Sequence, residues 1–256
     1  MTDPLISIVV VTYKRYDLLA DTIESLKAHC NYPRLEWIVC DDGSPRRVQE
    51  KIELLPFDHY LLARENGGIG FNTNKGMKVA TGEFILHLQD DWHCDGPEDF
   101  LHVAIELMRE RDSVSMVQFW REANFDYPSE LVVTQSGRRC RIFHDKTGAG
   151  CLPPFPIYSD RPHLKRRRVL KSIGYYEERK RPGAEIENDY CRRFASCPSE
   201  FAAIIDGYGH VFRHTGESQT FMWPQRKENW RRKLKANAVT RTLWHLYTHL
   251  RYGERR

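Results

Sequence analysis

Residues 5–15 read LISIVVVTYKR, and this stretch decides the class of fold. Its run of β-branched residues predicts a strand buried on both faces, which is typical of parallel sheets. Leu19, Ile23 and Leu26 then recur at helical spacing within residues 16–29, and Pro33 follows the end of this helix. The chain therefore begins with a strand followed by a helix.

The same alternation continues along the next sixty residues. Further strands are predicted at residues 35–40, 59–63 and 83–88, with helical stretches between them. The order β-α-β-α-β-α-β predicts an α/β fold in which helices cover a parallel sheet through right-handed crossovers.

Polar residues follow three of these predicted strands: TYKR at 12–15, DDGS at 41–44 and QDDW at 89–92. Ligands of open parallel sheets bind beyond the carboxyl ends of the strands, so the three segments are expected at one ligand-binding edge. Because Mg²⁺ and Mn²⁺ prefer carboxylate oxygens, Asp90 and Asp91 are candidate metal ligands. A turn with two exposed acids is the alternative.

The glycines exclude two common nucleotide-binding motifs. No glycine lies in the first strand-to-helix turn, as a dinucleotide fingerprint requires, and no Gly-Lys-Ser/Thr sequence forms a P-loop. The glycine-rich run NGGIGFNTNKG at 66–76 lies instead before the third predicted helix. Small residues there allow another molecule to approach the backbone closely.

Taken together, SIVVVTYKR at 7–15, VCDDGS at 39–44, NGGIGFNTNKG at 66–76 and ATGEFILHLQDD at 80–91 resemble glycosyltransferase family 2. The resemblance implies a GT-A fold, a three-layer α/β/α arrangement around a mostly parallel sheet. It places this domain at residues 1–222, with a nucleotide-sugar half at 1–95 and an acceptor and catalytic half at 96–222. It also implies inverting sugar transfer from a UDP- or dTDP-sugar to an acceptor hydroxyl, assisted by Mn²⁺ or Mg²⁺.

The family's residue roles carry over onto matching positions. Tyr13 would flank the nucleobase, Asp42 would accept a hydrogen bond from the uracil or thymine ring, and Asp91 would bind the metal. Gln89 replaces the first Asp of the usual Asp-x-Asp motif, which predicts weaker metal affinity because an amide cannot neutralise a cation. The residues implied in donor binding are Thr12, Tyr13, Arg15, Asp42, Asn66, Gly67, Gly68, Asn74, Gln89 and Asp90.

Two segments of the second half extend the resemblance. EIENDYCRR at 185–193 is similar to the acidic segment that supplies the catalytic base, which makes Glu187 the first candidate, with Asp189 and Glu185 as alternatives. An alcohol acceptor needs such a carboxylate to take its proton. His214 matches a strand-end histidine that could complete the metal shell or contact the diphosphate; an ordinary strand-end histidine is equally open.

Composition restricts the remaining possibilities. The seven cysteines include no C-x-x-C pair, so free thiols are expected rather than a zinc site. The net charge is only +4, but residues 225–256 carry ten Lys or Arg. A long basic amphipathic helix is predicted at 225–250, within a C-terminal extension at 223–256. This helix could cover the core, lie on anionic lipid or bind an anionic polymer, including nucleic acid. A further basic segment lies at 161–168, and the long Gly- and Pro-rich stretch at 147–162 could be a lid.

No secretory leader or membrane-spanning run is apparent, which predicts a cytoplasmic protein, with peripheral contact at the inner membrane face through the basic tail as a further option. The expected partners are a nucleotide-sugar donor and a carbohydrate or lipid-linked acceptor. A binding module of the same fold that no longer turns over is the alternative function. A nucleotidyltransferase is disfavoured because no Gly-rich loop with Arg and Lys follows the first strand.

Overall fold

The computed structural model describes residues 2–120, 129–144, 158–179 and 183–216. Their helices and strands are, in chain order, β1 (Ile6–Thr12), α1 (Tyr16–Ala28), β2 (Leu35–Asp41), α2 (Arg46–Ile52), β3 (His59–Leu62), α3 (Ile69–Val79), β4 (Phe84–Gln89), β5 (Trp92–Cys94), α4 (Phe100–Glu110), β6 (Val114–Gln118), β7 (Glu130–Val133), β8 (Arg139–Phe143), β9 (His163–Arg166), α5 (Val169–Ser172), α6 (Gly183–Ser196), β10 (Phe201–Ile205) and β11 (Phe212–His214).

The first four strands form the parallel half of a nine-stranded sheet, in the order β3-β2-β1-β4. β1 pairs in parallel with both β2 and β4, and the register places Thr12 beside Asp41 and Val11 beside Gln89. The carboxyl ends of the three strands therefore meet at one edge. This confirms the α/β fold with a parallel arrangement of the first strands, as the hydrophobic pattern predicts.

The second half of the sheet, β9-β6-β10-β8-β7, mixes strand directions. β9 inserts antiparallel to both of its neighbours, β4 and β6, and β10 is parallel to β6. β8 lies antiparallel to both β10 and β7. The sequence pattern predicts no strand at His163–Arg166, which lies in the basic segment at 161–168.

Helices cover both faces of the sheet. Along β1, Ile8 and Val10 belong to the buried cluster shared with α1 and α4, whereas Val9 and Val11 belong to the cluster shared with α3 and α6. A Cβ atom at Gly76 of α3 would lie 2.4 Å from a methyl group of Val9, so this helix packs directly on the sheet. The result is the three-layer arrangement predicted above.

The remaining predictions concern the C-terminal helix, the long Gly- and Pro-rich stretch, membrane spans and the cysteines. The predicted helix at 225–250 and most of the stretch at 147–162 lie outside the described residues. Among the described residues, no helix combines the length and the apolar character needed to cross a bilayer. The six cysteines in the described ranges are free thiols, as expected.

Candidate active site

Thr12, the last residue of β1, joins the polar ends of the neighbouring strands. Its hydroxyl donates a hydrogen bond of 2.6 Å to Oδ2 of Asp90, beyond the end of β4. Its carbonyl oxygen accepts the backbone N–H of Asp42, beyond the end of β2, at 3.0 Å. The structure therefore brings three of the predicted donor residues together.

Arg15 lies on the same acidic pair. Its Nη1 is 2.9 Å from Oδ2 of Asp91, its Nε donates to Oδ2 of Asp90 at 3.2 Å, and its Nη2 contacts the other oxygen of Asp90. Burial raises the pKa of Asp90 to about 6, although the charge of Arg15 and the hydrogen bond from Thr12 act in the opposite direction. The guanidinium is thus the cation that balances two buried carboxylates in this structure.

The segment after β11 also contacts Asp91. Nε2 of His214 is 3.3 Å from Oδ2 of Asp91, and the N–H of Thr215 donates to the main-chain oxygen of Asp91 at 2.8 Å. The antiparallel pairing of β11 with β5, the strand that directly follows Asp91, explains this approach. His214 was placed near the metal by resemblance, and the structure brings it to the same carboxylate.

Asp91 and His214 fit a divalent cation. Oδ1 of Asp91 is buried and has no hydrogen-bond partner among the described residues. The described residues contain no cluster of three or more His, Cys, Asp or Glu side chains that could hold a metal ion by themselves. A pair of protein ligands still suits Mg²⁺ or Mn²⁺, because these ions are commonly held by one or two carboxylates together with substrate phosphates. The Arg15 guanidinium would have to give up its bond to Asp91.

Asp42 closes the glycine-rich turn over the strand ends. Its Oδ1 accepts the N–H of Gly67 at 2.8 Å, and its Oδ2 accepts the N–H of Gly68 at 3.0 Å. Gly68 has a φ of 90°, a conformation that favours glycine. Burial raises the pKa of Asp42, while the two backbone hydrogen bonds lower it. Each carboxylate oxygen keeps a second lone pair for a ligand.

Helix α3 carries two buried asparagines, of which only Asn74 is a predicted donor residue. Asn72 donates from Nδ2 to the main-chain oxygens of Thr12 at 3.3 Å and Cys40 at 2.9 Å. It thereby holds the ends of β1 and β2 together. Asn74 contacts none of the donor cluster; its side chain binds the main chain of Tyr176 and the carboxylate of Glu178. Because both asparagines are buried on the same helix, the sequence pattern cannot tell which of them contacts the strand ends.

The remaining donor candidates lie near the cluster in sequence. Tyr13 follows Thr12 and is half-buried, with Nζ of Lys14 4.6 Å from the centre of its ring. Asn66 is half-buried just before the glycine turn, and Gln89 is the half-buried last residue of β4. Their roles in binding a donor stay predictions.

Glu187 and Asp189, the candidate bases, lie in α6. Oε1 of Glu187 accepts the hydroxyl of Ser159 at 2.8 Å and the N–H of Asp160 at 2.9 Å. Asp189 pairs with Arg193 one helical turn later at 2.9 Å. Burial, followed by the charge of Glu187, raises the pKa of Asp160 to about 7, against the hydrogen bond from Tyr176. Ser159 and Asp160 lie in the Gly- and Pro-rich stretch at 147–162, which contains no recognised catalytic motif, so the sequence does not single them out.

A family model described as Glycosyl transferase family 2 matches residues 7–174. Among curated proteins, the chain is 28% identical over 114 residues to the putative teichuronic acid biosynthesis glycosyltransferase TuaG of Bacillus subtilis, covering 42% of this chain and 43% of that protein. It is 32% identical over 93 residues to a GalNAc(5)-diNAcBac-PP-undecaprenol beta-1,3-glucosyltransferase of Campylobacter jejuni, covering 34% of this chain and 30% of that protein. The matched part is thus less than half of either relative.

Solved structures share the fold. A mannosyltransferase from Pyrobaculum calidifontis in complex with GDP-Man and Mn²⁺ aligns with a TM-score of 0.57 at 15% identity, over 86% of this chain and 59% of that one. TarS 1-349 of S. aureus in complex with UDP-GlcNAc aligns with a TM-score of 0.53 at 18% identity, over 84% and 62% of the two chains. At this identity the likeness shows the fold alone.

Proposed function

Because the chain belongs to glycosyl transferase family 2 and has its GT-A fold, we propose that it transfers a sugar from a nucleotide diphosphate sugar to an acceptor hydroxyl. The observation that carries the proposal is the cluster at the ends of β1, β2 and β4, where Thr12 links Asp42 to Asp90. The cluster also contains the carboxylate of Asp91 and the guanidinium of Arg15, and it lies at the edge where parallel sheets bind ligands.

The nucleoside would bind between Tyr13 and the Asp42 turn. A carboxylate that accepts two hydrogen bonds still has lone pairs for a ring N–H, which suits the uracil or thymine of the UDP- or dTDP-sugars that we propose as donors. Glycines at 67 and 68 let the nucleoside and ribose approach the main chain. Asn66 and Gln89 would contact the ribose.

Asp91 and His214 would hold Mn²⁺ or Mg²⁺ beside the diphosphate. The bound ion would supply charge stabilisation to the departing diphosphate. Arg15 would turn from Asp91 toward the phosphate oxygens, where a guanidinium can bind two of them at once. The negative charge that develops on the leaving group would then face fixed positive charge.

Glu187 would take the acceptor proton. Ser159 and the N–H of Asp160 hold its Oε1, which leaves Oε2 to accept the hydroxyl hydrogen. As the acceptor oxygen bonds to the anomeric carbon, the bond from that carbon to the phosphate oxygen breaks and its electrons leave with the nucleoside diphosphate. A single displacement of this kind inverts the configuration at the anomeric carbon.

Acceptors that carry a polyprenyl diphosphate or form a charged polymer are proposed from the relatives alone. Two of these relatives are named for teichuronic acid biosynthesis and for a diphospho-undecaprenol glycan. The predicted basic helix at 225–250 would suit such an anionic acceptor or a membrane surface, which makes a peripheral location part of the same proposal.

A panel of UDP-, dTDP- and GDP-sugars, each with and without MnCl₂, tests the function by release of the free nucleotide. Release from one donor that needs the metal, and is lost in Asp91→Asn, supports the transferase. Glu187→Gln should keep nucleotide binding and lose transfer. The competing function is a donor-binding module, favoured by Gln89 and by Arg15 on both acids; binding without any nucleotide release would establish it.

A further inference from the structure

Tyr176 contacts the two halves of the proposed site through different parts of itself. Its main-chain N–H donates to Oδ1 of Asn74 at 3.0 Å, and its carbonyl oxygen accepts from Nδ2 of the same residue at 2.9 Å. Its phenol hydroxyl donates to Oδ1 of Asp160 at 2.5 Å and also contacts the hydroxyl of Tyr158. One buried residue therefore binds α3 with its backbone and the segment before β9 with its side chain.

On the donor side, α3 follows directly after the glycine-rich turn that binds Asp42. The helix begins at Ile69, directly after the two glycine N–H groups that bind Asp42. A Cβ atom at Gly70 would lie 2.2 Å from the carbonyl oxygen of Glu177, the residue after Tyr176. The first turn of α3 thus packs against the same main-chain segment that binds Asn74.

On the catalytic side, the anchored residue is the one that holds the base. The N–H of Asp160 donates to Oε1 of Glu187, and the hydroxyl of Ser159 next to it donates to the same oxygen. A shift of this segment would move the carboxylate that has to meet the acceptor hydroxyl. We therefore expect that removing the Tyr176 hydrogen bond to Asp160 displaces Glu187.

Packing alone does not require the hydroxyl of Tyr176. Its ring stacks on Tyr190 with centroids 4.2 Å apart and an interplanar angle of 23°, and a phenylalanine ring would keep that contact. Tyr190 provides the comparison, because its own buried hydroxyl has no hydrogen-bond partner among the described residues. A buried hydroxyl without a hydrogen bond costs free energy, so removing the Tyr190 hydroxyl should do little harm. Removing the Tyr176 hydroxyl would instead break its bond to Asp160.

We propose that Tyr176 is a positioning residue that couples the donor-binding helix α3, through Asp160, to the orientation of the base Glu187. This inference rests on the proposed function, in which Glu187 takes the acceptor proton. In this proposal, a nucleotide bound at the Asp42 turn restricts the motion of α3. The two hydrogen bonds between Asn74 and the main chain of Tyr176 then restrict Tyr176, and its phenol hydroxyl in turn restricts Asp160.

Tyr176→Phe is the direct test, because it removes the hydroxyl, with its contacts to Asp160 and Tyr158, and keeps both the ring and the backbone bonds to Asn74. We expect donor KM and the Kd for UDP with MnCl₂ to stay within about twofold, while kcat for transfer falls about 10- to 100-fold, the size of effect that misplacing a catalytic group produces. Tyr190→Phe is the matched control and should keep wild-type kcat. Equal losses of kcat in the two variants, or wild-type kcat in Tyr176→Phe, would overturn the proposal.

A double-mutant cycle separates positioning from general loosening. Asp160→Asn keeps the N–H that binds Glu187, and the double variant with Tyr176→Phe should lose no more kcat than the worse single variant. Additive losses would contradict a path through Asp160.

Amide hydrogen exchange gives a readout that does not need turnover. The Asp160 amide should exchange faster in Tyr176→Phe than in the wild type, and UDP with MnCl₂ should slow it only in the wild type. If no donor releases its nucleotide, the proposed function fails, while the exchange rate without ligand still decides the positioning contact. Unchanged exchange of this amide would refute the contact whatever the activity.

Discussion

The guanidinium of Arg15 lies between the carboxylates of Asp90 and Asp91 and hydrogen-bonds to both. Asp90 has no exposed surface, so the salt bridge is shielded from water on one side. Two adjacent buried carboxylates repel each other, and a cation between them offsets the free-energy cost of that repulsion. Arg15 has that position in this structure, where the proposed function places a divalent metal near the diphosphate.

Arg15→Met should therefore destabilise the fold and increase the effect of metal on stability. Breaking a buried ion pair leaves the carboxylates uncompensated, and we expect a loss of about 3 kcal/mol in the free energy of unfolding. MnCl₂ should then raise the Tm of the variant more than that of the wild type, because it replaces the lost charge. Thermal unfolding with and without the metal measures both effects.

Lys14→Met is the control for Arg15→Met, since it removes a neighbouring but exposed positive charge. It should leave both the Tm and the metal response close to the wild type. A metal response in Arg15→Met no greater than in this control would mean that the guanidinium and the ion do not share the acids.

The sequence was sufficient to predict the parallel half of the sheet and the edge where its polar residues gather. β-branched runs such as Val9–Val11 specify buried strands locally, and the ends of parallel strands must meet. The position of β9 could not be inferred in this way, because its pairing with both β4 and β6 depends on contacts distant in sequence. In the sequence Lys165 is only one cation of the basic segment at 161–168, whereas in the structure it is 1% exposed.

The catalytic half shows the same limit at the level of single residues. The acidic motif pointed to Glu187, but its hydrogen-bond donors Ser159 and Asp160 come from a different part of the chain with no motif of its own. Asn74 was assigned to the donor by resemblance, and only the structure reveals that its side chain binds Tyr176. Local patterns identify charged residues, but not which buried partner each one meets.

Gly216→Ala should displace Asp91. A Cβ atom at this position would lie 2.5 Å from Cβ and 2.6 Å from Oδ2 of Asp91, closer than nonbonded atoms approach. We expect Mn²⁺ affinity to fall about tenfold, equivalent to about 1.4 kcal/mol, as measured by titration calorimetry with UDP present. Gly207→Ala adds a methyl group where no atom lies within 4 Å, at a strained φ of 84°. That variant should lose stability without losing metal affinity, and wild-type affinity in Gly216→Ala would remove Gly216 from the site.

Glu36→Gln should weaken the fold at neutral pH and flatten its acid sensitivity. Glu36 on β2 accepts the Ser7 hydroxyl, and it accepts the N–H and hydroxyl of Thr81 at 3.0 and 2.9 Å. Burial acts to raise the pKa of Glu36, but these hydrogen bonds outweigh it and the pKa lies below 4.5. The ionised form is thus favoured by folding, so its contribution is present above pH 4.5 and is lost as the pH falls through the folded pKa.

Urea unfolding at pH 7 and at pH 3 measures this effect. We expect a loss of about 2 kcal/mol for Glu36→Gln at pH 7, because the amide cannot accept every one of these bonds, and a smaller difference from the wild type at pH 3. The exposed Glu50→Gln should change neither value. A gap between Glu36→Gln and the wild type that stays constant with pH would show that the charge of Glu36 is not involved.

Lys165→Met should stabilise the protein at neutral pH. The amine has no hydrogen-bond partner among the described residues and lies 5.4–5.7 Å from the ring centres of Tyr158, Tyr176 and Tyr190. Burial lowers its pKa from 10.5 to about 7, although Asp160 opposes that shift. As the pH falls, Lys165 is protonated near pH 10.5 in the unfolded chain but only near pH 7 in the native state. The free energy of unfolding therefore decreases as the pH is lowered across this interval.

Methionine has a similar length and carries no charge, so the gain in Tm over the wild type should grow as the pH is lowered from 10.5 to 7 and then level off. Scanning calorimetry across this range measures it, with Lys171→Met as the control because that lysine is exposed. The gain should be absent in the control at every pH. A lower Tm for Lys165→Met at pH 7 would mean that attraction to the three rings and to Asp160 outweighs the cost of burying the amine.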